Sequence, residues 1–187
     1  MSFPPLAVAL GLFLAVNIFQ RFTELSISAR NARRVRQRGA REFGAWHFPL
    51  LVTVHVLYPL LLAAEVVGLG AQPGAWWPCW LALWVAAQML RYSAIRELGE
   101  QWNVRILVVP GAPLIRSGPY RWLRHPNYVA VATELLAGSM LFGAWRTALF
   151  ISALNAIALT IRIRAEERAL NRDSRALEGL PSPTHAH

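Results

Sequence analysis

The sequence contains a single cysteine and no lysine, so all 19 of its basic side chains are arginines. The lone Cys79 excludes an internal disulfide and a metal site built from several cysteines, and we interpret it as a small packing residue. Acidic residues number only 10, which leaves a net charge of +9. No zinc-ligand spacing or RNA-binding aromatic signature accompanies the arginines, so we expect no nucleic acid partner and no metal. Anionic lipid headgroups are the expected counter-charge.

Long apolar stretches separate the arginines. Five of them are predicted to be membrane-spanning helices, roughly Pro4–Phe19, Phe48–Leu69, Trp76–Ile95, Tyr128–Phe142 and Ala144–Ile163. The second, third and fifth approach the roughly 20 residues that a helix needs to cross the hydrocarbon core, whereas the first and fourth are short and would tilt or lie in thinned lipid. The predicted fold class is therefore an all-α integral membrane protein with about five transmembrane helices.

The arginines also predict an orientation. Seven lie in Arg21–Arg41, six in Arg91–Arg124 and five in Arg162–Arg175, and only Arg146 falls outside these tracts. Because short arginine-rich loops stay on the cytoplasmic side, we expect all three tracts there. The amino terminus would then face outward, with the uncharged loop Gly70–Pro73 on the same outer side.

A long segment between the third and fourth predicted helices cannot be a continuous helix. It runs from Leu107 to His125 and contains three prolines and two glycines. Because irregular backbone cannot face lipid, this segment must fold against the helices or line a polar cavity. We expect it to form a cytoplasmic cofactor-binding loop.

Two short constellations could carry chemistry. Pro126 suits the first turn of a helix, whose exposed amides can bind a carboxylate, with His125 and Tyr128 beside that anion. The alternative is that these side chains only meet lipid headgroups and the aromatic belt. Arg162 and Glu166 are four residues apart and share a helix face. They could bind a ligand or form a plain ion pair at a helix end.

Two acidic residues and a histidine fall inside the second and fourth predicted spans, where charge is costly unless it faces a cavity or a partner. Glu134 in the fourth span is a candidate for substrate binding or for a packing hydrogen bond. His55 and Glu65 in the second span raise the same alternative, with less to connect them to chemistry.

The run Leu114–Tyr128 (LIRSGPYRWLRHPNY), followed by Arg162–Leu170 (RIRAEERAL), resembles the isoprenylcysteine carboxyl methyltransferase family. These are integral membrane enzymes that use S-adenosylmethionine, and the combination of SGPY, RHPxY and RxxxEE is specific to them. The resemblance implies that Arg162 faces the substrate and acts in catalysis together with Glu166. It also implies a set of cofactor-binding residues: Pro113, Leu114, Ile115, Tyr120, His125, Pro126, Asn127, Tyr128 and Glu166.

Within this family the chain looks closest to bacterial members that methylate an oxygen of polyketide-derived alkylpyrones or alkylresorcinols, which carry a similar VVPGAPL segment. After its paired acids the chain runs through Asn171–Arg175, whereas the isoprenylcysteine enzymes continue with aromatic residues and glycine. The expected partners are therefore a lipophilic small molecule, membrane lipid and the pathway of a type III polyketide synthase. The expected location is the bacterial inner membrane, with the active site on the cytoplasmic side.

The predicted organisation is a single methyltransferase domain over residues 1–177, in which residues 91–170 bind S-adenosylmethionine and catalyse, followed by a disordered tail at 178–187. Other functions stay open: an isoprenylcysteine enzyme proper, a phospholipid N-methyltransferase, a non-catalytic scaffold or a sterol-type reductase using NADPH. Those reductases also carry RHPNY, but they place an acid soon after the tyrosine, where this chain has Val129-Ala130-Val131.

Overall fold

Five long helices make up most of the molecule. The computed structural model describes the backbone of residues 4–178 and the side chains of residues 5–171. The helices are α1 (Pro4–Gln37), α2 (Phe48–Ala63), α3 (Trp77–Leu98), α4 (Pro126–Leu141) and α5 (Trp145–Glu178). A π-helical turn, Ala64–Gly68, extends α2. The predicted tail lies outside the described residues except for Glu178, the last residue of α5.

Each predicted span corresponds to one helix, but two helices continue well past the predicted ends. The first span was predicted to end at Phe19 and the fifth at Ile163, whereas α1 reaches Gln37 and α5 reaches Glu178. Both extensions run through arginine tracts that contain no proline or glycine, and arginine is a good helix former. The arginines therefore ended the apolar stretch without ending the helix.

Among the described residues, three helical segments are long and apolar enough to cross a membrane: Pro5–Gln37, Ala45–Gly68 and Trp145–Asn171. Large apolar side chains such as Phe19 and Phe22 on α1 are exposed, as expected of a surface that faces lipid. The protein is thus a mostly helical membrane protein. That α3 and α4 also cross, giving five spans, stays a prediction.

A small antiparallel sheet accompanies the helices, which the all-α prediction did not include. Strand β1 (Arg41–Phe43) pairs with β2 (Ile106–Val108). Ile106 and Val108 are buried with Ala169 of α5, so the sheet packs on the carboxyl-terminal half of that helix. The sheet was not predicted because strands of three residues are too short to show an alternating apolar pattern.

The main apolar core joins α1, α2, α4 and α5. Its buried members include Leu10, Val54, Leu135 and Ile151. The turn between α4 and α5 packs closely against the loop that follows α2: a Cβ on Gly143, whose φ is +70°, would lie 1.9 Å from the carbonyl oxygen of Gln72. Glycine is therefore required there both by the backbone conformation and by the close approach.

A ring of buried charges, which we call the charge ring, attaches the middle of α1 to the bundle. Arg21 and Glu24 of α1 alternate with Arg91 of α3 and Glu134 of α4, so that each guanidinium meets both carboxylates. Arg21 Nη1 lies 2.8 Å from Glu24 Oε2, and Arg91 Nη1 lies 3.1 Å from Glu24 Oε1. Two positive and two negative charges cancel, which makes the ring tolerable inside a bundle.

These contacts change the interpretation of Arg21 and Arg91, which belong to tracts that were predicted to lie on the cytoplasmic side. Arg91 is 1% exposed and Arg21 has a side chain that is 24% exposed. Both side chains pair with buried carboxylates inside the protein. The orientation of the molecule itself stays a prediction.

Candidate functional site

A cavity of about 640 Å³ lies in the bundle. Apolar side chains from α1 and α2 line much of it, among them Leu14, Ile18, Phe22, Val52 and Val56. At one end it is bordered by Asn127 and Tyr128 from the start of α4 and by Arg162 from α5. A volume of this size suits a small-molecule ligand.

Three polar side chains form a chain of hydrogen bonds at this end of the cavity. Arg162 Nε donates to the hydroxyl oxygen of Tyr128 at 2.8 Å, and the Tyr128 hydroxyl donates to Glu166 Oε2. Arg162 is buried and lines the cavity, whereas Glu166 does not line it. The predicted partners Arg162 and Glu166 are thus brought together, with Tyr128 between them.

The start of α4 presents the predicted anion site. His125 precedes the first helical residue, Pro126, and no side chain of the described residues caps this terminus. The His125 ring stacks on Tyr128 with centroids 5.3 Å apart, and its Nε2 lies 3.6 Å from Glu167 Oε1. Exposed amides at a helix start, next to an imidazole, can bind a carboxylate.

The loop before α4 supplies the remaining predicted cofactor residues. Tyr120 is half-buried, and burial raises the pKa of its phenol; the nearby Glu166 carboxylate raises it further. Tyr120 therefore stays protonated as a hydrogen-bond donor. Pro113 and Leu114 are exposed and Ile115 is half-buried. Their contact with a cofactor stays a prediction.

The ionisable residues in the predicted spans take different places. The Glu65 carboxylate accepts hydrogen bonds from the backbone amides of Arg146 (3.1 Å) and Thr147 (2.6 Å), so it caps α5. Glu134 is occupied by Arg21 and Arg91, and it borders a side cavity of about 30 Å³ instead of the main one. His55 lines both cavities.

Sequence reasoning missed the charged wall of the main cavity, formed by Arg21, Glu24 and Arg91. A signal was present, because Arg91 falls within the third predicted span, and an arginine inside a span calls for a partner or a function. Arg21 and Glu24 are three residues apart and so share a helix face. Read together, these features would have indicated a buried ion-pair cluster.

Comparison with known proteins identifies the family. Residues 80–172 match the isoprenylcysteine carboxyl methyltransferase (ICMT) family. The chain is 43% identical to the uncharacterized protein YpbQ of Bacillus subtilis over 159 residues, which cover 85% of this chain and 95% of that protein. It is 30% identical to an uncharacterized protein of Haemophilus influenzae over 152 residues, covering 81% and 88% respectively. No solved structure matches the chain significantly.

The chain therefore belongs to the isoprenylcysteine carboxyl methyltransferase family, as its motifs predicted. Members of this family are membrane methyltransferases that generally use S-adenosylmethionine. The matched region contains the start of α4 and the Arg162–Glu166 pair.

The residues present fit the amino acid end of S-adenosylmethionine, which carries a cationic amine and an anionic carboxylate. The helix start and His125 suit the carboxylate, and Glu166 suits the amine. Asn127 Oδ1 is buried without a hydrogen-bond donor among the described residues, so it can accept from a ligand. This donor set supports the predicted cofactor site.

Proposed function

We propose that the protein transfers a methyl group from S-adenosylmethionine to an ionisable oxygen of a lipophilic acceptor, with an alkylpyrone or alkylresorcinol of polyketide origin as the favoured class. The observation that carries this proposal is the position of Arg162, whose guanidinium borders a largely apolar cavity while its Nε holds Tyr128. A cation at the end of an apolar cavity suits a long-chain molecule whose polar head bears negative charge.

The chemistry requires little from the protein beyond positioning. Bound S-adenosylmethionine supplies an electrophilic methyl group on a sulfonium. Arg162 would hold the acceptor oxygen in its anionic form and orient it for in-line attack, which removes the need for a separate base when the acceptor is an acidic enol or phenol. Tyr128 fixes the guanidinium by accepting from Nε, leaving the outer nitrogens for the acceptor.

The same charge argues against an amine acceptor. The amine of a phospholipid headgroup is protonated near neutral pH, and a guanidinium at the end of the cavity would repel it. The apolar walls give the acceptor's tail a place between α1 and α2, where Ile18, Phe22 and Val56 are exposed at the lipid-facing surface. The acceptor would thus reach the site from within the membrane.

The proposal is tested with purified protein in lipid nanodiscs and methyl-tritiated S-adenosylmethionine. We expect label on a long-chain alkylpyrone or alkylresorcinol, and little on an S-farnesylated cysteine or on phosphatidylethanolamine. Label only on the farnesylated carboxylate, or only on the amine, would replace the proposed acceptor. Titration with S-adenosylhomocysteine and with NADPH separates a methyltransferase from a reductase, because we expect binding of the first compound alone.

A further inference from the structure

The wall of the main cavity holds a second polar group of residues, away from Arg162. Arg91 and His55 both line the cavity there. The outer nitrogens of Arg91 are taken up by Glu24 and Glu134, but its Nε is buried without a partner among the described residues. A buried donor without an acceptor is costly, so a ligand or water must satisfy it.

His55 offers the complementary group. Its Nδ1 lies 2.8 Å from the carbonyl oxygen of Leu51. A carbonyl can only accept, so Nδ1 carries the hydrogen, and in the neutral imidazole Nε2 is an acceptor. The cavity wall therefore offers one unused donor and one acceptor.

The distance between the two polar ends follows from α4. Arg162 contacts Tyr128, and Arg91 contacts Glu134, six residues further along the same helix. At 1.5 Å per residue the two contacts are roughly 9 Å apart along the axis, and because six residues also turn the helix by about 240°, this rise is a lower limit on their separation. An acceptor whose head meets Arg162 would therefore pass Arg91 and His55 with the first part of its tail.

We propose that Arg91 and His55 form a second binding subsite, for a hydroxyl group carried on the tail of the acceptor at least roughly 9 Å from the oxygen that is methylated. This rests on the proposed function. A hydroxyl can accept from Arg91 Nε and donate to His55 Nε2, whereas a carbonyl or an ether can only accept. The charge ring has no net charge, so the subsite favours a neutral hydroxyl over an anion.

Two alkylpyrones of equal chain length test the subsite. One has a saturated tail, and the other carries a single hydroxyl at least roughly 9 Å from the enol oxygen. Radiolabelled probes give the dissociation constants in nanodiscs, and methyl transfer gives kcat/KM. We expect the wild type to favour the hydroxylated probe by about tenfold in both quantities, the size expected of one well-made hydrogen bond in a cavity.

The variants His55→Leu and Arg91→Lys remove the two proposed contacts separately, and each should bring the ratio between the probes close to one. Lysine keeps the charge that the ring needs and removes Nε. Thr53→Val is the matched control, because Thr53 Oγ1 donates to the carbonyl of Pro49 at 3.0 Å, four residues back, as His55 does to Leu51. Thr53 is exposed outside the cavity, so its variant should keep the tenfold ratio.

The outcomes separate the two proposals. Equal use of both probes by the wild type would mean that water satisfies Arg91 and His55, and it would overturn the subsite while leaving the methyltransferase intact. A preference that survives in both variants would overturn it as well. A tenfold binding preference without methyl transfer to either probe would leave the subsite standing and remove the proposed acceptor. Failure of both probes to bind would overturn both proposals.

Discussion

Tyr128 is the residue that joins the two halves of the candidate site. Its hydroxyl accepts from Arg162, donates to Glu166, and its ring stacks on His125. Arg162 and Tyr128 border the main cavity, whereas Glu166 and His125 do not. The hydroxyl therefore connects the proposed acceptor contact to the proposed cofactor contact and sets the geometry of both.

This arrangement predicts separable effects of two substitutions. Arg162→Ala should lower kcat/KM for the acceptor by at least about tenfold, equivalent to about 1.4 kcal/mol of transition-state stabilisation, with cofactor affinity nearly unchanged. Glu166→Gln should chiefly weaken cofactor binding. Arg162→Lys should rescue poorly, because an ammonium lacks the planar fork that meets Tyr128 and an oxyanion together. Kinetics and S-adenosylhomocysteine calorimetry check both effects.

A purely structural ion pair would give a different result. If both substitutions lowered only the unfolding temperature, and the folded fraction kept its normal kinetics, the catalytic assignment of Arg162 and Glu166 would be wrong.

His125 is expected to contribute to the cofactor directly. His125→Ala should weaken S-adenosylhomocysteine binding by about 1–3 kcal/mol, the range for a hydrogen bond to a charged group, and Tyr128→Phe should weaken it less. Arg124→Ala is a control, because Arg124 precedes His125 but its side chain is 90% exposed. Unchanged calorimetric affinity in folded His125→Ala protein would return this histidine to a headgroup contact.

At the residue scale, sequence reasoning found the residues that lie close together along the chain. His125 and Tyr128 are one turn apart, as are Arg162 and Glu166, so helical spacing alone placed each pair on one face. The bond from Tyr128 to Arg162 crosses 34 residues, and that from Arg91 to Glu134 crosses 43. No local sequence pattern predicts contacts between residues so far apart in the chain. Such contacts depend on how α3, α4 and α5 pack.

At the element scale, α5 is fixed at its start, at its middle and within its carboxyl-terminal half. Glu65 caps its first turn, Arg162 lies midway along it, and Ala169 packs on the sheet. The apolar pattern predicted where this helix begins to within one residue. Its length was underestimated, because hydropathy reports contact with lipid while helix continuation depends on backbone propensity.

The capping of α5 by Glu65 predicts that removing this carboxylate lowers stability without changing the chemistry of the candidate site. Glu65→Ala removes two acceptors from the start of α5 and should lower the free energy of unfolding by about 1–3 kcal/mol. Glu100→Ala is a surface control, since its ion pairs with Arg34 and Arg38 are exposed and should contribute less than about 1 kcal/mol. Denaturant titration in micelles measures both. Equal losses would show that Glu65 does not cap α5.

The sheet carries a pH-sensitive contact. A hydrogen bond from Arg105 lowers the pKa of Glu42 below its usual 4.5, with a further contribution from Arg36. Because the folded pKa lies below the unfolded one, this stabilisation is complete above the unfolded value and is lost as pH falls through the folded value. Unfolding temperatures measured between about pH 6 and pH 3 should therefore fall less steeply in Glu42→Gln than in wild type. Parallel curves would contradict this contribution.

At the scale of the whole molecule, the arginine tracts predict how the protein is oriented in the membrane. With Cys79 replaced by alanine, a single cysteine at position 72 should react with an impermeant reagent from outside, and one at position 116 only from the cytoplasm. Gln72 and Arg116 are both exposed, so access depends on the side of the membrane. Labelling of both positions from the same side would reject the predicted orientation.

The order of the helices could be predicted from the sequence, whereas the cavity in the interior could not. Five apolar stretches predicted five helices, and the proline- and glycine-rich segment predicted the break between α3 and α4. The cavity could not be predicted, because its lining comes from all five helices and includes three residues of the charge ring. Packing of distant elements determines such a space, and composition does not report it.

The charge ring also has a consequence for the order in which the helices reach their final positions during synthesis. Glu24 emerges from the ribosome 67 residues before Arg91, and Arg21 emerges 113 residues before Glu134. Until the later helices arrive, the first helix has only its own Arg21–Glu24 pair to offset charge that lies within its candidate span. We therefore expect α1 to reach its final position in lipid only after α3 and α4 have arrived, so that this first helix is one of the last elements to settle.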